Sequence, residues 1–121
     1  MMQRKDGEGS YIRCAFFRGR VKAGQEKPFT EFVRSRLVPL WTRFPGAEEV
    51  RVLRQEESDA GAPRFEMVLA IRYPSRKAIE QALASDVRAK SRDVTKEMMT
   101  LFDGDIFHII FKAEEFPLPT D

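Results

Sequence analysis

Apolar positions along the chain follow two periodicities, and their alternation outlines the fold. Residues 11–18 (YIRCAFFR) are rich in aromatic and β-branched side chains and apolar at both parities, as in a strand covered on both faces. A loop with two glycines spans 19–27. Pro28 then stands where a first helical turn tolerates it. From there Phe29, Phe32, Val33, Leu37, Leu40, Trp41 and Phe44 recur at helical spacing. Pro39 removes one backbone donor, which predicts a kink, and Pro45-Gly46 ends the helix.

Residues 47–56 alternate around Val50 and Val52, and 64–73 (RFEMVLAIRY) form a further strand. The turn-rich stretch ESDAGAP between them predicts an antiparallel hairpin. Pro74-Ser75 opens a helix with the stripe Ala78, Ile79, Ala82 and Leu83. Ser85-Asp86 is the expected cap of another, with the stripe Val87, Val94, Met98, Leu101 and Phe102. Asp103-Gly104-Asp105 breaks that helix, and 106–112 (IFHIIFK) form the last strand. The order is β-α-β-β-α-β, the split βαβ arrangement of ferredoxin-like α+β domains: a four-stranded antiparallel sheet with helices on one face.

One-sided cover should make strands alternate apolar with polar. Two strands do not. In 106–112, Ile106 and Ile110 lie on one face and Phe107, Ile109 and Phe111 on the other. In 11–18, Ile12, Cys14 and Phe16 oppose Tyr11, Ala15 and Phe17. The sheet face away from the helices therefore needs its own cover. A second copy packed sheet to sheet by two-fold symmetry supplies it, giving a homodimeric α/β barrel.

The 121 residues suit one domain, expected over 11–113, with a disordered leader at 1–10 and a tail at 114–121. Hydrophobic residues at 42% and charged residues at 33% exclude disorder of the whole chain. A net charge of +2 gives no reason to expect nucleic acid or an anionic membrane as partner. No apolar run approaches membrane-spanning length, and Met1 to Ser10 lacks the apolar core of a signal peptide, so the cytoplasm is the expected compartment. The single cysteine, Cys14, is expected to be packed and inert. No Cys/His cluster is spaced for a metal, and neither a dinucleotide fingerprint, a P-loop lysine nor a nucleophile elbow is present, so no cofactor is expected. The run from Arg88 to Lys96 is mixed in charge and reads as a solvated helix face.

The candidate site residues are few. His108, the only histidine, shares a strand face with Ile106 and Ile110, where it either lines a cavity as a general base or sits satisfied in the core. Arg36 lies within the apolar arc of the first helix and can reach for a carboxylate or a ligand anion. On the third strand Phe65, Met67, Leu69, Ile71 and Tyr73 form the helix-facing set. Glu66 and Arg72 share the opposite face with Val68 and Ala70 and can meet a cavity or a partner chain. Trp41 is a candidate for the pocket mouth.

Several short motifs match a known family. The stretch from Leu37 to Gly46 (LVPLWTRFPG) is similar to the His-x-Pro-Leu…Pro-Gly segment of EthD-like proteins of the dimeric α/β-barrel superfamily, with Pro39, Leu40, Pro45 and Gly46 in register. Tyr73-Pro74-Ser75, followed by Ala78, Ala82 and Ser85, resembles the aromatic-x-Ser entry and small-residue helix after the family's third strand. Asp93, Phe102 and Asp103 fall at its later acidic and aromatic positions. The resemblance implies a small homodimer with one cavity per sheet. It spans cofactor-free monooxygenases, lactone isomerases, polyketide cyclases and dehydratases, haem-handling proteins, and proteins without known activity. The family's helix-one histidine falls on Leu37, so chemistry that uses it does not carry over. Two functions follow as expectations. One is binding of a small organic molecule between sheet and helices, as an accessory protein of a catabolic or biosynthetic pathway. The other is cofactor-free catalysis with His108 as base and Arg36 or Arg72 holding the developing anion.

Overall fold

Strand β1 (Tyr11–Val21) is the spine of the sheet, paired antiparallel with β3 (Phe65–Tyr73) on one side and β4 (Phe102–Lys112) on the other. Strand β2 (Glu49–Leu53) adds to the free edge of β3, giving the order β2-β3-β1-β4. The computed structural model describes residues 9–120, so most of the expected leader lies outside the described residues. Ser10 is buried, and its carbonyl accepts from Ala113 N–H at 2.8 Å, one step beyond the β1–β4 ladder.

The first helical region is one column in three pieces: α1 (Glu26–Phe32), a π-helical turn (Val33–Leu37) and α2 (Val38–Trp41). Pro28 falls in the first turn, where a missing N–H costs nothing. The kink expected at Pro39 takes the form of that π turn: Val38 N–H reaches back five residues to Val33. A proline ring collides with the carbonyl four residues earlier in regular α geometry, and the widened turn accommodates it. The second region is α3 (Arg76–Leu83) and α4 (Asp86–Met98). Each starts on a serine: Ser75 Oγ accepts from Ala78 N–H and Ser85 Oγ from Arg88 N–H.

All helices share one face of the sheet. Phe29, Val33, Leu37, Leu40, Trp41, Ile79, Ala82, Val94 and Met98 pack against Ala15, Phe17, Met67, Leu69, Ile71 and Tyr73 in a single core. Leu37, at the position of the family's histidine, is wholly buried.

Two strand details depart from the expected pattern. Phe17 pairs with Met67 but Arg18 with Phe65, so β3 carries an extra residue at Glu66. That bulge inverts the strand's phase and moves Phe65 from the helix side to the outer face, where it meets Phe16 at 5.4 Å between ring centroids. Strand β4 also begins four residues before the expected 106. The aspartate-glycine pattern ends the helix yet continues as ladder, because Gly104 pairs with Gly19. Both have positive φ, and a Cβ on either would collide with the opposing backbone.

Candidate functional site

The strand register sorts side chains into two environments. On the helix side, β1 presents Arg13, Ala15 and Phe17, β3 presents Leu69 and Ile71, and β4 presents Ile106 and His108. On the other side lie Ile12, Cys14, Phe16, Val68, Ala70, Phe107, Ile109 and Phe111.

A cavity of about 370 Å³ opens between the helix side of the sheet and the helices. Its apolar wall is Ala15, Phe17, Trp41, Phe44, Leu69, Ile71 and Ile106. Its polar wall is Arg13, His108 and one stripe of α4: Arg88, Ser91, Arg92, Thr95 and Lys96. Those five recur at three- and four-residue spacing, which places them on a single helix face. Ser85 fixes the start of that helix, and so the phase in which Arg88 enters the cavity. The Ser91 hydroxyl donates to the Arg88 carbonyl and the Thr95 hydroxyl to the Ser91 carbonyl, at 2.9 and 2.7 Å. Their protons are engaged by the helix, so they offer acceptor lone pairs to the cavity.

His108 lies across the ladder from Ala15, and its imidazole is exposed to the cavity. Protein atoms around it still remove water from the ring. That desolvation, with the positive charges of Arg13 and Arg88, pushes its pKa down to about 4. At neutral pH the imidazole is uncharged. Burial and the neighbouring Arg88 hold the Arg13 guanidinium below its ordinary value, and burial and Arg92 do the same to Arg88. Burial also raises the Tyr73 phenol to about 12, partly offset by Arg13, so it stays protonated. Among the described residues no carboxylate lines the cavity, and no group of three or more His, Cys, Asp or Glu could hold a metal.

Of the residues singled out from sequence, the structure brings Trp41 and His108 together on the cavity wall. The other three lie elsewhere. Arg36 bonds Glu97 at 3.1 Å on the helix surface, with its guanidinium over the Phe32 ring. Glu66 occupies the β3 bulge, accepts from Val21 N–H and approaches Arg64 at 3.5 Å. Arg72 lies on the outer sheet face at 3.5 and 3.6 Å from Glu48 and Glu49. The cavity cations Arg13 and Arg88 were missed. Arg13 had a signal: it is the one charged residue on its face of β1. The row Arg88, Arg92, Lys96 had another, since its i, i+4, i+8 spacing gathers cations on one side of a helix whose overall charge is mixed.

The outer face is apolar and partly open. Phe16 and Phe107 stack at 5.1 Å with rings 11° apart, and Phe65 and Phe111 complete the cluster. Leu53, Ile109 and Phe111 are 47%, 40% and 45% exposed. Cys14 is buried between Ala70 and Ile109 in the ladder, and burial raises its thiol pKa, which disfavours the reactive thiolate.

No protein-family model matches the sequence, and no curated protein matches it. Solved structures do match. An EthD-family protein of Bacillus halodurans superposes with a TM-score of 0.67 at 18% identity, over 86% of this chain and 98% of that one. A monooxygenase of Streptomyces coelicolor, solved in complex with nanaomycin D, gives 0.61 at 15% identity over 95% and 96%. A dimeric protein of unknown function with a ferredoxin-like fold, from Bacteroides fragilis, gives 0.60 at 8% identity over 87% and 97%. At these identities what is shared is the fold. It is the ferredoxin-like fold that the order of strands and helices in the sequence predicts. Among the described residues no helix is long and apolar enough to cross a membrane.

Proposed function

We propose that this chain is a small-molecule-binding protein that acts as a homodimer, with one ligand site per subunit between sheet and helices. The observation that carries the reading is the cavity itself. Its volume of about 370 Å³ falls within the range of small-ligand pockets, and polar side chains converge on a largely aromatic and aliphatic wall. A filled ferredoxin-like core has no use for a histidine and several cations facing inward. One protein of the same fold was solved with nanaomycin D bound, which is in keeping with this use of the fold.

The second copy belongs to the same reading. The exposed outer-face side chains are too large and too contiguous for a solvated surface, and a dimer through them buries the aromatic cluster. One neighbour of the same fold is described as dimeric. The cytoplasm and a role as an accessory protein of a catabolic or biosynthetic pathway remain part of the proposal.

A further reading makes the site catalytic, and His108 supports it. The imidazole is neutral, and although Arg13 and Arg88 hold its pKa down, an anion formed from a carbon acid between them offsets those charges as the ring takes up the proton. In this role Arg13 and Arg88 take the place expected of Arg36 and Arg72.

Ligand-detected NMR on a set of small aromatic fragments tests the binding reading. Ala15→Leu fills the space before His108. Fragments that bind the natural chain and are lost with folded Ala15→Leu support the cavity as the site. An absence of binders, or binders indifferent to that substitution, contradicts it.

A further inference from the structure

The sign of the charge in the cavity is one-sided in a way the chain as a whole is not. Lysine and arginine number 21 and aspartate and glutamate 19. Yet the cavity wall holds four cationic side chains and no carboxylate. Several cations elsewhere have carboxylate partners: Arg18 bonds Asp105, Arg36 bonds Glu97, and Arg72 lies between two glutamates. At the cavity rim the exposed Lys96 approaches Asp93 at 3.7 Å. Arg13, Arg88 and Arg92 enter none of the ion pairs among the described residues.

Arg13 and Arg88 are half-buried, lie within each other's field and both act on His108. Two partly desolvated guanidinium groups without a counterion oppose folding, and an anion between them removes that opposition. Ser91 and Thr95 spend their hydroxyl protons on helix carbonyls, so the charged donors of the cavity are the guanidinium groups and, at its rim, Lys96, with the N–H groups of His108 and Trp41 as neutral ones. Trp41 and Phe44 line the same cavity and give it an aromatic wall.

We propose that the ligand is an aromatic monoanion, a carboxylate, phenolate or enolate, held with its charge between Arg13 and Arg88 and its ring against Trp41 and Phe44. This rests on the cavity being a ligand site, and it names the chemical class that site selects. Planar, forked guanidinium donors suit a delocalised oxyanion, and the apolar wall rewards a ring system over a small inorganic ion.

The test compares two probes of the same bicyclic shape, 2-naphthoate and 2-naphthamide, by calorimetric titration of the full chain. The expected result is naphthoate binding about tenfold tighter or more than the amide. That preference should shrink as sodium chloride is raised, while amide affinity stays constant. Arg88→Gln, on the cavity face of α4, should cut the preference severalfold and leave amide affinity within about twofold. Arg34→Gln, on the exposed surface of the first helical column, should leave both affinities unchanged. Amide binding as tightly as naphthoate overturns the anionic class and leaves the cavity reading intact. A preference that survives Arg88→Gln and is insensitive to salt overturns the assignment to these guanidinium groups. Binding of neither probe overturns the aromatic-anion proposal, and the fragment set then decides separately whether the cavity is a ligand site.

Discussion

Ala15 and His108 stand opposite each other on β1 and β4, on the side of the sheet that faces the helices. The pairing joins the one alanine of that β1 face to the only histidine of the chain. A leucine or phenylalanine at position 15 would fill the space before the imidazole. Alanine leaves it open, and the cavity occupies it. Arg13, two residues along the same strand face, supplies charge to the same space.

His108 should make folding stability depend on pH in a defined direction. Its pKa is pushed down to about 4 from 6.5, mainly by desolvation and further by Arg13 and Arg88. The unfolded chain therefore binds this proton more readily than the folded one. The imidazole's stabilising contribution is complete above pH 6.5 and is lost as the pH falls toward 4. Urea unfolding of the natural chain and of His108→Gln should differ by an amount that declines between pH 7 and pH 4. A constant difference across that range would show that folding leaves the histidine unperturbed.

The outer sheet face leads to a second expectation. Ile109 is 40% exposed in the single subunit and lies next to the stacked pair Phe16 and Phe107. Light scattering at micromolar concentration should give twice the 14.0 kDa chain mass, and Ile109→Lys should give one chain mass with its secondary structure retained. A natural chain that scatters as a single subunit would remove the second copy from the account.

Gly104 should tolerate no side chain. Its φ is +157°, and a Cβ would run into the Arg18 carbonyl. Gly104→Ala should cost roughly 1–3 kcal/mol, and with it several degrees in the unfolding midpoint. A midpoint unchanged within a degree would mean that the β1–β4 ladder can open there without penalty.

Much of this architecture was legible in the sequence, because apolar periodicity carries it. The alternation in β3 identified Met67, Leu69, Ile71 and Tyr73 as the helix-facing set, and all four are buried. Phe65 escaped that logic, since a bulge at Glu66 changes parity without any change in composition. The first four residues of β4 escaped because Asp103-Gly104-Asp105 reads as a breaker, and only the pairing with Gly19 makes it ladder. At the site, the sequence singled out Trp41 and His108 but not their company. Arg13 was passed over within an apolar strand, and the α4 cations were read as a solvated face because their charges balance along the chain and separate only around the helix. Arg36 and Arg72 resembled ligand residues for the converse reason: their partners Glu97, Glu48 and Glu49 are close in space and, for the most part, distant in sequence.

The account rests on the cavity being a ligand site, and His108 offers its most direct test. It is the only histidine of the chain and stands in the cavity wall, so its ring Cε1–H resonance in NMR reports on that space alone. A small molecule that raises the unfolding midpoint should shift this resonance in proportion to occupancy. It should leave the resonance of folded Ala15→Leu in place. A molecule that binds and stabilises the protein while the His108 resonance of the natural chain stays still would contradict the account.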